Sequence, residues 1–137
     1  MVIDASIAIK WVVEEEGTEA ALALHNGAEL IAPDLLIAEC ANILWKKVQR
    51  HELAENEAMI AARLLESANV EIFATRNLLE MATRLAIELG HPAYDCIYLA
   101  LAIRSDCRFG TADLSFARKI GSTALADRII ALADIRL

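Results

Sequence analysis

The chain is short of aromatic residues, of cysteine, of basic charge and of long apolar runs, and each shortage closes off a class of protein. Phe, Trp and Tyr make up 5% of the 137 residues although 57% are hydrophobic, so a core has to be assembled from Ala, Leu, Ile and Val. That apolar fraction is enough for a domain of this length without disulfides or a structural zinc. It is also high, which leaves room for an apolar surface patch or a homodimer interface beside the simpler reading of an Ala-rich core. The three cysteines, Cys40, Cys96 and Cys107, are odd in number and form no C-x-x-C pair. Each sits among apolar neighbours, as buried free thiols do in a reducing cytoplasm. No stretch reaches the roughly 18 apolar residues that cross a bilayer. The Met-Val-Ile-Asp start lacks a basic flank, a long apolar run and a small-residue cleavage site, so no signal peptide is expected. These absences lead us to expect a cytoplasmic chain with no membrane partner. The net charge of −7 counts against a general nucleic-acid binder. Net charge describes the long-range field, however, and not any one site. A carboxylate cluster built for a cation makes the metal-free chain acidic, and the ion then returns positive charge locally.

Repeats, low-complexity tracts and linker-like stretches are absent too, and the length fits one compact domain across residues 1–137. Short apolar runs at Met1–Ile3, Leu30–Ala32, Val70–Phe73 and Cys107–Gly110 are predicted strands, with Ile129–Leu132 a candidate fifth. Helical spacing of apolar residues predicts helices over Ala5–Val13, Glu19–His25, Leu35–Val48, Ala54–Ser67 and Leu78–Leu89. Two more follow, one opened by Pro92 and running through Ile103, the other over Leu114–Ile120. Asp34 is placed to cap the Leu35 helix, and Gly90 to close the one before it. Strands alternating with helices indicate an α/β domain with a central, mainly parallel sheet of four or five strands. Right-handed crossovers then put helices on both faces. In such sheets the ligand site lies beyond the carboxyl ends of the strands, where strand order reverses. Asp4 and Asp113 both follow predicted strand ends.

Most of the 20 acidic residues stand where solvated charge is expected, the Glu14-Glu15-Glu16 run among them. Four do not. Glu39 lies inside Leu-Leu-Ile-Ala-Glu-Cys-Ala-Asn-Ile-Leu-Trp, with Asn42 its only local polar neighbour. Asp95 is the sole charge between Pro92 and Ile103, in the first turn of a helix, where the dipole favours an anion. Asp4 ends an apolar strand, and Asp113 follows Phe-Gly-Thr-Ala. Any one of them is explained as a cap or as half of an ion pair. Together they are harder to explain, because no buried Lys or Arg accompanies them in these segments. Buried carboxylates brought together repel and raise each other's pKa, and a cation removes that cost. Oxygen-only ligands suit Mg²⁺ or Mn²⁺ rather than zinc. Such a site suits phosphoryl transfer, in which hard cations activate water and hold the scissile phosphate. His25, His51 and His91 lie in loops or at helix ends, with no nucleophile beside them in sequence.

With these positions fixed, the sequence resembles the PIN-domain ribonucleases, and within them the VapC-type toxins of toxin–antitoxin pairs. The opening Val-Ile-Asp-Ala-Ser-Ile-Ala-Ile-Lys-Trp is similar to the family's first motif. Pro33-Asp34-Leu35-Leu36 with Glu39 and Asn42 is similar to the second. Pro92-Ala93-Tyr94-Asp95-Cys96-Ile97-Tyr98-Leu99-Ala100 matches the third, and Gly110-Thr111-Ala112-Asp113-Leu114-Ser115-Phe116-Ala117 the fourth. The motifs stand in order over nearly the whole chain, and the tail after Gly121 is the part least clearly matched. The resemblance implies a three-layer α/β/α fold, a homodimer and Mg²⁺- or Mn²⁺-dependent endoribonuclease activity on an RNA substrate. It also implies a cognate antitoxin. By position, Asp4 and Asp95 would be the main metal ligands, and Asp113 would complete the site. Glu39 would bind metal or orient water. Ser6 and Thr111 would hold the carboxylates, and Asn42 would fix Glu39 or touch substrate. Lys10, Lys46, Lys47, Arg50, Arg118 and Lys119 are candidates to line a path for phosphates. Trp11, Trp45, Tyr94 and Tyr98 read as core or dimer contacts.

Two other readings compete, a different metal-dependent phosphoryl enzyme and a non-catalytic interaction module. A haloacid-dehalogenase-like phosphatase needs Asp-x-Asp at the first strand, and Ser6 stands at the second position. A response-regulator receiver needs an adjacent acidic pair there, and a lysine late in the sheet, and has neither. A non-catalytic PIN-like interaction module would leave the four carboxylates dispersed in space.

Overall fold

Five short segments pair into one sheet whose central strands are apolar and covered on both faces, while the edge strand at Glu71–Phe73 is exposed. The computed structural model describes residues 1–137. The strands are β1 (Val2–Ile3), β2 (Ile31–Pro33), β3 (Glu71–Phe73), β4 (Phe109–Thr111) and β5 (Ile129–Ala131), all parallel, in the order β3-β2-β1-β4-β5. The helices are α1 (Ala5–Ala8, continued by a 3₁₀ turn to Trp11), α2 (Thr18–Gly27), α3 (Leu35–Gln49), α4 (Glu55–Glu66), α5 (Leu79–Leu89), α6 (Ala93–Arg104) and α7 (Leu114–Gly121). The fifth strand is therefore real, and the predicted elements hold to within a few residues at their ends.

Strand periodicity explains the two cores. Successive side chains of β1 point to opposite faces. Val2 packs with Leu99, Phe109 and Ile120 on the side of α5, α6 and α7. Ile3 packs with Ile7, Leu24 and Leu36 on the side of α1 to α4. Each fully buried aliphatic side chain of this kind contributes roughly 1.5–3 kcal/mol. The result is the three-layer α/β/α arrangement expected from the sequence. The middle of α6 is apolar all round, with Cys96 and Tyr98 through Ala102 buried, as a helix wedged against the sheet centre must be.

Strand order positions the site. From β1 the chain winds outward through β2 to β3, then crosses back over β1 to lay down β4 and β5 on its other side. The direction of winding reverses between β1 and β4, and their carboxyl ends open the crevice there. Val2 is level with Phe109 and Ile3 with Gly110, so the residues after each strand emerge side by side.

The turn between α5 and α6 delivers a further residue to that crevice. Gly90 sits at φ +59°, ends α5 in the left-handed conformation and directs His91 inward. A Cβ there would meet no atom within 4 Å, so Gly90→Ala isolates backbone strain. It should cost about 1 kcal/mol, read as a lower urea midpoint with an unchanged m-value.

Three local expectations are corrected. Asp34 occupies the position before α3 but makes no capping bond to it. Its carboxylate instead accepts from the amide and hydroxyl of Thr75, across the sheet edge. Glu15 is not a merely solvated charge: it bridges Lys10 at 3.1 Å and Lys47 at 3.0 Å. Burial works against its ionisation, but Lys47 and Lys10 outweigh burial and hold the Glu15 pKa below its ordinary value. Cys107 is only partly buried, whereas Cys40 and Cys96 are buried as expected. The apolar surplus is divided between core and surface, and Ile37, Trp45, Met59, Ile60 and Leu64 stand exposed on α3 and α4.

Candidate active site

Asp4 is the anchor of the crevice. It leaves β1 in an extended conformation and its side chain caps α1, Oδ1 accepting from the Ile7 amide. Its remaining partners are hydroxyls. Ser6 Oγ donates to Oδ1 at 2.5 Å and Thr111 Oγ1 donates to Oδ2 at 2.5 Å. Thr111 is the last residue of β4, so that second bond spans the point where strand order reverses. Both hydroxyls are oriented in turn by the next loop: Ser6 Oγ accepts from the Ala112 amide at 2.9 Å, and Thr111 Oγ1 from the Asp113 amide at 3.1 Å. Burial raises the Asp4 pKa to about 6; the bonds from Ser6, Thr111 and Ile7 pull it back, and the charge of Asp95 adds to the rise.

Glu39 comes from the middle of α3, half-buried, next to the buried Cys40. The hydroxyl of Tyr98 on α6 donates to its Oε1. Burial raises the Glu39 pKa, the Tyr98 bond opposes the rise, and Asp95 adds to it. Asn42 is exposed and is not Glu39's partner; the expectation that it fixes Glu39 is corrected by Tyr98.

Asp95 lies in the first turn of α6. Its Oδ2 is 2.6 Å from His91 Nε2. Lys119 Nζ lies 3.3 Å from His91 Nδ1. An ammonium only donates, so Nδ1 is the acceptor and the Nε2 proton goes to Asp95. The ring also stands edge-on to Phe116, with centroids 4.7 Å apart.

Asp113 is exposed, and its Oδ1 accepts from the Phe116 amide at 3.1 Å to cap α7. Three carboxylates thus share one electrostatic neighbourhood, since Asp95 raises the pKa of both Asp4 and Glu39. Asp113 stands at its rim. In this conformation no three His, Cys, Asp or Glu side chains converge closely enough to grip one ion together, with Asp95 turned to His91 and Asp113 to α7. The donor chemistry nonetheless fits a hard divalent cation: all four candidate ligands are carboxylates, and no Lys or Arg pairs with any of them. The thiols offer no rival chemistry. Burial first, then the charges of Glu39 and Asp4, push Cys40 up to about 12, which leaves it protonated and unreactive.

Against this geometry stand the comparisons with known proteins. The PIN domain family profile matches residues 1–121. The chain belongs to the PIN-domain family. Ribonuclease VapC3 of Pyrobaculum aerophilum is 34% identical over 125 residues, spanning 87% of this chain and 93% of that protein, which sets this PIN domain among the VapC-type ribonucleases. Solved structures share the fold. The crystal structure of PAE2754 from Pyrobaculum aerophilum has a TM-score of 0.66 at 23% identity, covering 96% of this chain and 83% of that one. Mycobacterium tuberculosis VapC20, a sarcin-ricin loop cleaving toxin, gives 0.63 at 16% identity over 85% and 93%. A toxin–antitoxin complex from Klebsiella pneumoniae gives 0.64 at 15% over 98% of each chain. The family match stops at residue 121, yet the PIN domain's β5 lies beyond it, at the sheet edge beside β4.

Two residues at the PIN-domain site carry little mark in the sequence. His91 precedes its helix, and only its four-residue distance from Asp95 hints at the pair. Tyr98 is three residues after Asp95 on the same helix face. Its reach to Glu39 spans 59 positions, and the only local hint is that a buried phenol needs an acceptor.

Proposed function

We propose that Asp4, Glu39, Asp95 and Asp113 give this VapC-type ribonuclease one Mg²⁺ or Mn²⁺ site, through which it cleaves RNA phosphodiester bonds internally as the toxin of a toxin–antitoxin pair. The observation that carries the proposal is the buried Asp4 at the β1–β4 crevice, both of its oxygens held by Ser6 and Thr111, with Asp95 near enough to raise the pKa of both Asp4 and Glu39 and no Lys or Arg paired with any of the three. When bound, the ion supplies an activated water and stabilises the leaving oxygen. Asp4 and Asp95 would hold it from the two sides of the crevice, with Asp113 closing the rim. Glu39 orients the attacking water and accepts its proton. Ser6 and Thr111 keep both Asp4 oxygens in place, so that the carboxylate does not rotate away. Lys10 and Lys47 are engaged with Glu15, and Lys119 with the Gly90 carbonyl and His91. Phosphate contacts therefore fall to Lys46, Arg50 and Arg118.

The partners follow the same reading. An apolar groove of about 210 Å³ runs between α3, α4 and β3, lined by Leu36, Ile37, Leu44, Leu65 and Ile72. It gives a cognate antitoxin an anchor. Trp45 and Tyr94, exposed, are contacts for an antitoxin or for a second copy in a homodimer. No helix is long and apolar enough to cross a membrane, and the cytoplasm is where such a pair would act. One PIN domain over residues 1–137 is the unit, with the tail supplying the edge strand.

The test is a melting experiment with Mn²⁺. A ligand stabilises only the state it binds, so saturating Mn²⁺ should raise the wild-type melting temperature by several degrees, and that of Asp4→Asn or Asp95→Asn by much less. Equal shifts in all three proteins would mean that the carboxylates do not form one site.

A further inference from the structure

We propose that Tyr98 is a positioning residue for Glu39, holding that carboxylate at a fixed place and angle relative to Asp95; the inference rests on the reading of Glu39 as part of the metal site. Tyr98 is 1% exposed and stacked on Phe109 of β4, with ring centroids 5.4 Å apart and planes 13° from parallel. Its ring is therefore fixed to the sheet. Its hydroxyl leaves the core at one point and donates to Glu39 Oε1. Glu39 has no other hydrogen-bond donor: neither Asn42 nor any backbone amide reaches it.

The geometry gives this bond a particular consequence. Asp95 and Tyr98 share a face of α6, three residues apart, while Glu39 projects from α3. No backbone hydrogen bond links those two helices. The phenol is the polar link between them, and it fixes the separation of two carboxylates carried by different elements. A glutamate without such a partner samples several rotamers, and locking it on binding costs entropy. One pinned oxygen leaves Oε2 directed and available.

A purely packing role for Tyr98 makes a different prediction, and Tyr98→Phe separates the two. Phe keeps the stack on Phe109 and removes only the hydroxyl. Mn²⁺ affinity by calorimetry and single-turnover cleavage of a mixed-sequence fluorescent oligoribonucleotide would be measured for wild type, Tyr98→Phe, Glu39→Gln and the double variant. Tyr98→Phe should weaken Mn²⁺ binding and slow cleavage by about tenfold, the range seen when a ligand's hydrogen-bond partner is lost. The concentration of oligoribonucleotide giving half-maximal rate should stay unchanged. In the Glu39→Gln background the same substitution should change either quantity less than about twofold, because the amide can still accept from Tyr98 but no longer supplies the carboxylate through which that bond acts. A full tenfold effect in that background overturns the proposal, and so does a wild-type result for Tyr98→Phe beside an impaired Glu39→Gln. A wild-type result for Glu39→Gln overturns the placement of Glu39 in the site as well. Should Tyr98→Phe fail to fold, 3-fluorotyrosine at position 98 alters donor strength without removing the hydroxyl. It should shift Mn²⁺ affinity in the wild type and leave Glu39→Gln unmoved; no shift in the wild type overturns the proposal.

Discussion

Asp95→Asn should reduce RNA cleavage by at least about a thousandfold, equivalent to ~4 kcal/mol of lost transition-state stabilisation, while leaving the fold intact. Of the two principal ligands proposed, Asp95 is the cleaner to remove. It is half-exposed, its side-chain partner is His91 alone, and an amide fills the same space. The loss of stability should therefore stay within about 1 kcal/mol. Activity is different, because a neutral amide neither contributes charge to a hard cation nor replaces a carboxylate oxygen at full strength. Expression of the wild-type chain should arrest growth, and expression of Asp95→Asn should not. Cleavage of RNA by purified Asp95→Asn at the wild-type rate would end the assignment of this residue to the metal site.

Asp4 should show a trade-off between stability and activity. Its pKa is raised from 3.8 to about 6 by burial, despite three hydrogen bonds. Between those two values the folded chain holds a proton that the unfolded chain has released. Stability therefore falls as pH rises through that window and is level above it. The shift corresponds to about 3 kcal/mol. With chelator present, wild type should lose about that much more stability than Asp4→Asn between pH 4 and pH 7. At pH 7 the metal-free Asp4→Asn protein should be the more stable of the two, though inactive. Using the difference between the two proteins matters, because Glu15, with its lowered pKa, titrates with the opposite sign in both. Urea unfolding at the two pH values measures it. A larger stability deficit for Asp4→Asn at pH 7 than at pH 4 would show that the three hydrogen bonds, and not the buried charge, dominate at this residue. Divalent metal should reverse the order by offsetting the charge that burial penalises.

Much of this was legible in the sequence because the informative residues obey local rules. A strand of Val2 and Ile3 with both faces apolar, Gly90 after a helical repeat, and a single acidic residue in each of two largely apolar helices are visible within a few positions. Even β5, at the least matched part of the chain, follows from the apolar run at Ile129. What failed to show depends on residues distant in sequence. Asp34 bonds Thr75, Glu15 collects Lys10 and Lys47, and Glu39 meets Tyr98. In each case the local neighbourhood offers another partner — the helix amides for Asp34, solvent for Glu15, Asn42 for Glu39 — and tertiary contact overrides it. His91 was hidden for another reason. No nucleophile stands beside it in sequence, and its contact with Asp95, at 2.6 Å, forms only when the turn before α6 is in place.

The bond between Thr111 and Asp4 joins residues 107 positions apart, and this has a consequence for the order of synthesis. Asp4 is among the first residues to leave the ribosome. The hydroxyl that orients it, and the strand that carries that hydroxyl, arrive only after four-fifths of the chain has been made. Until then β1 has no β4 beside it and the crevice has one wall. A nascent or prematurely ended chain that stops short of β4 thus carries three of the four carboxylates but not the strand that holds Asp4 in place. The sheet's winding order therefore delays assembly of the crevice until translation is nearly finished.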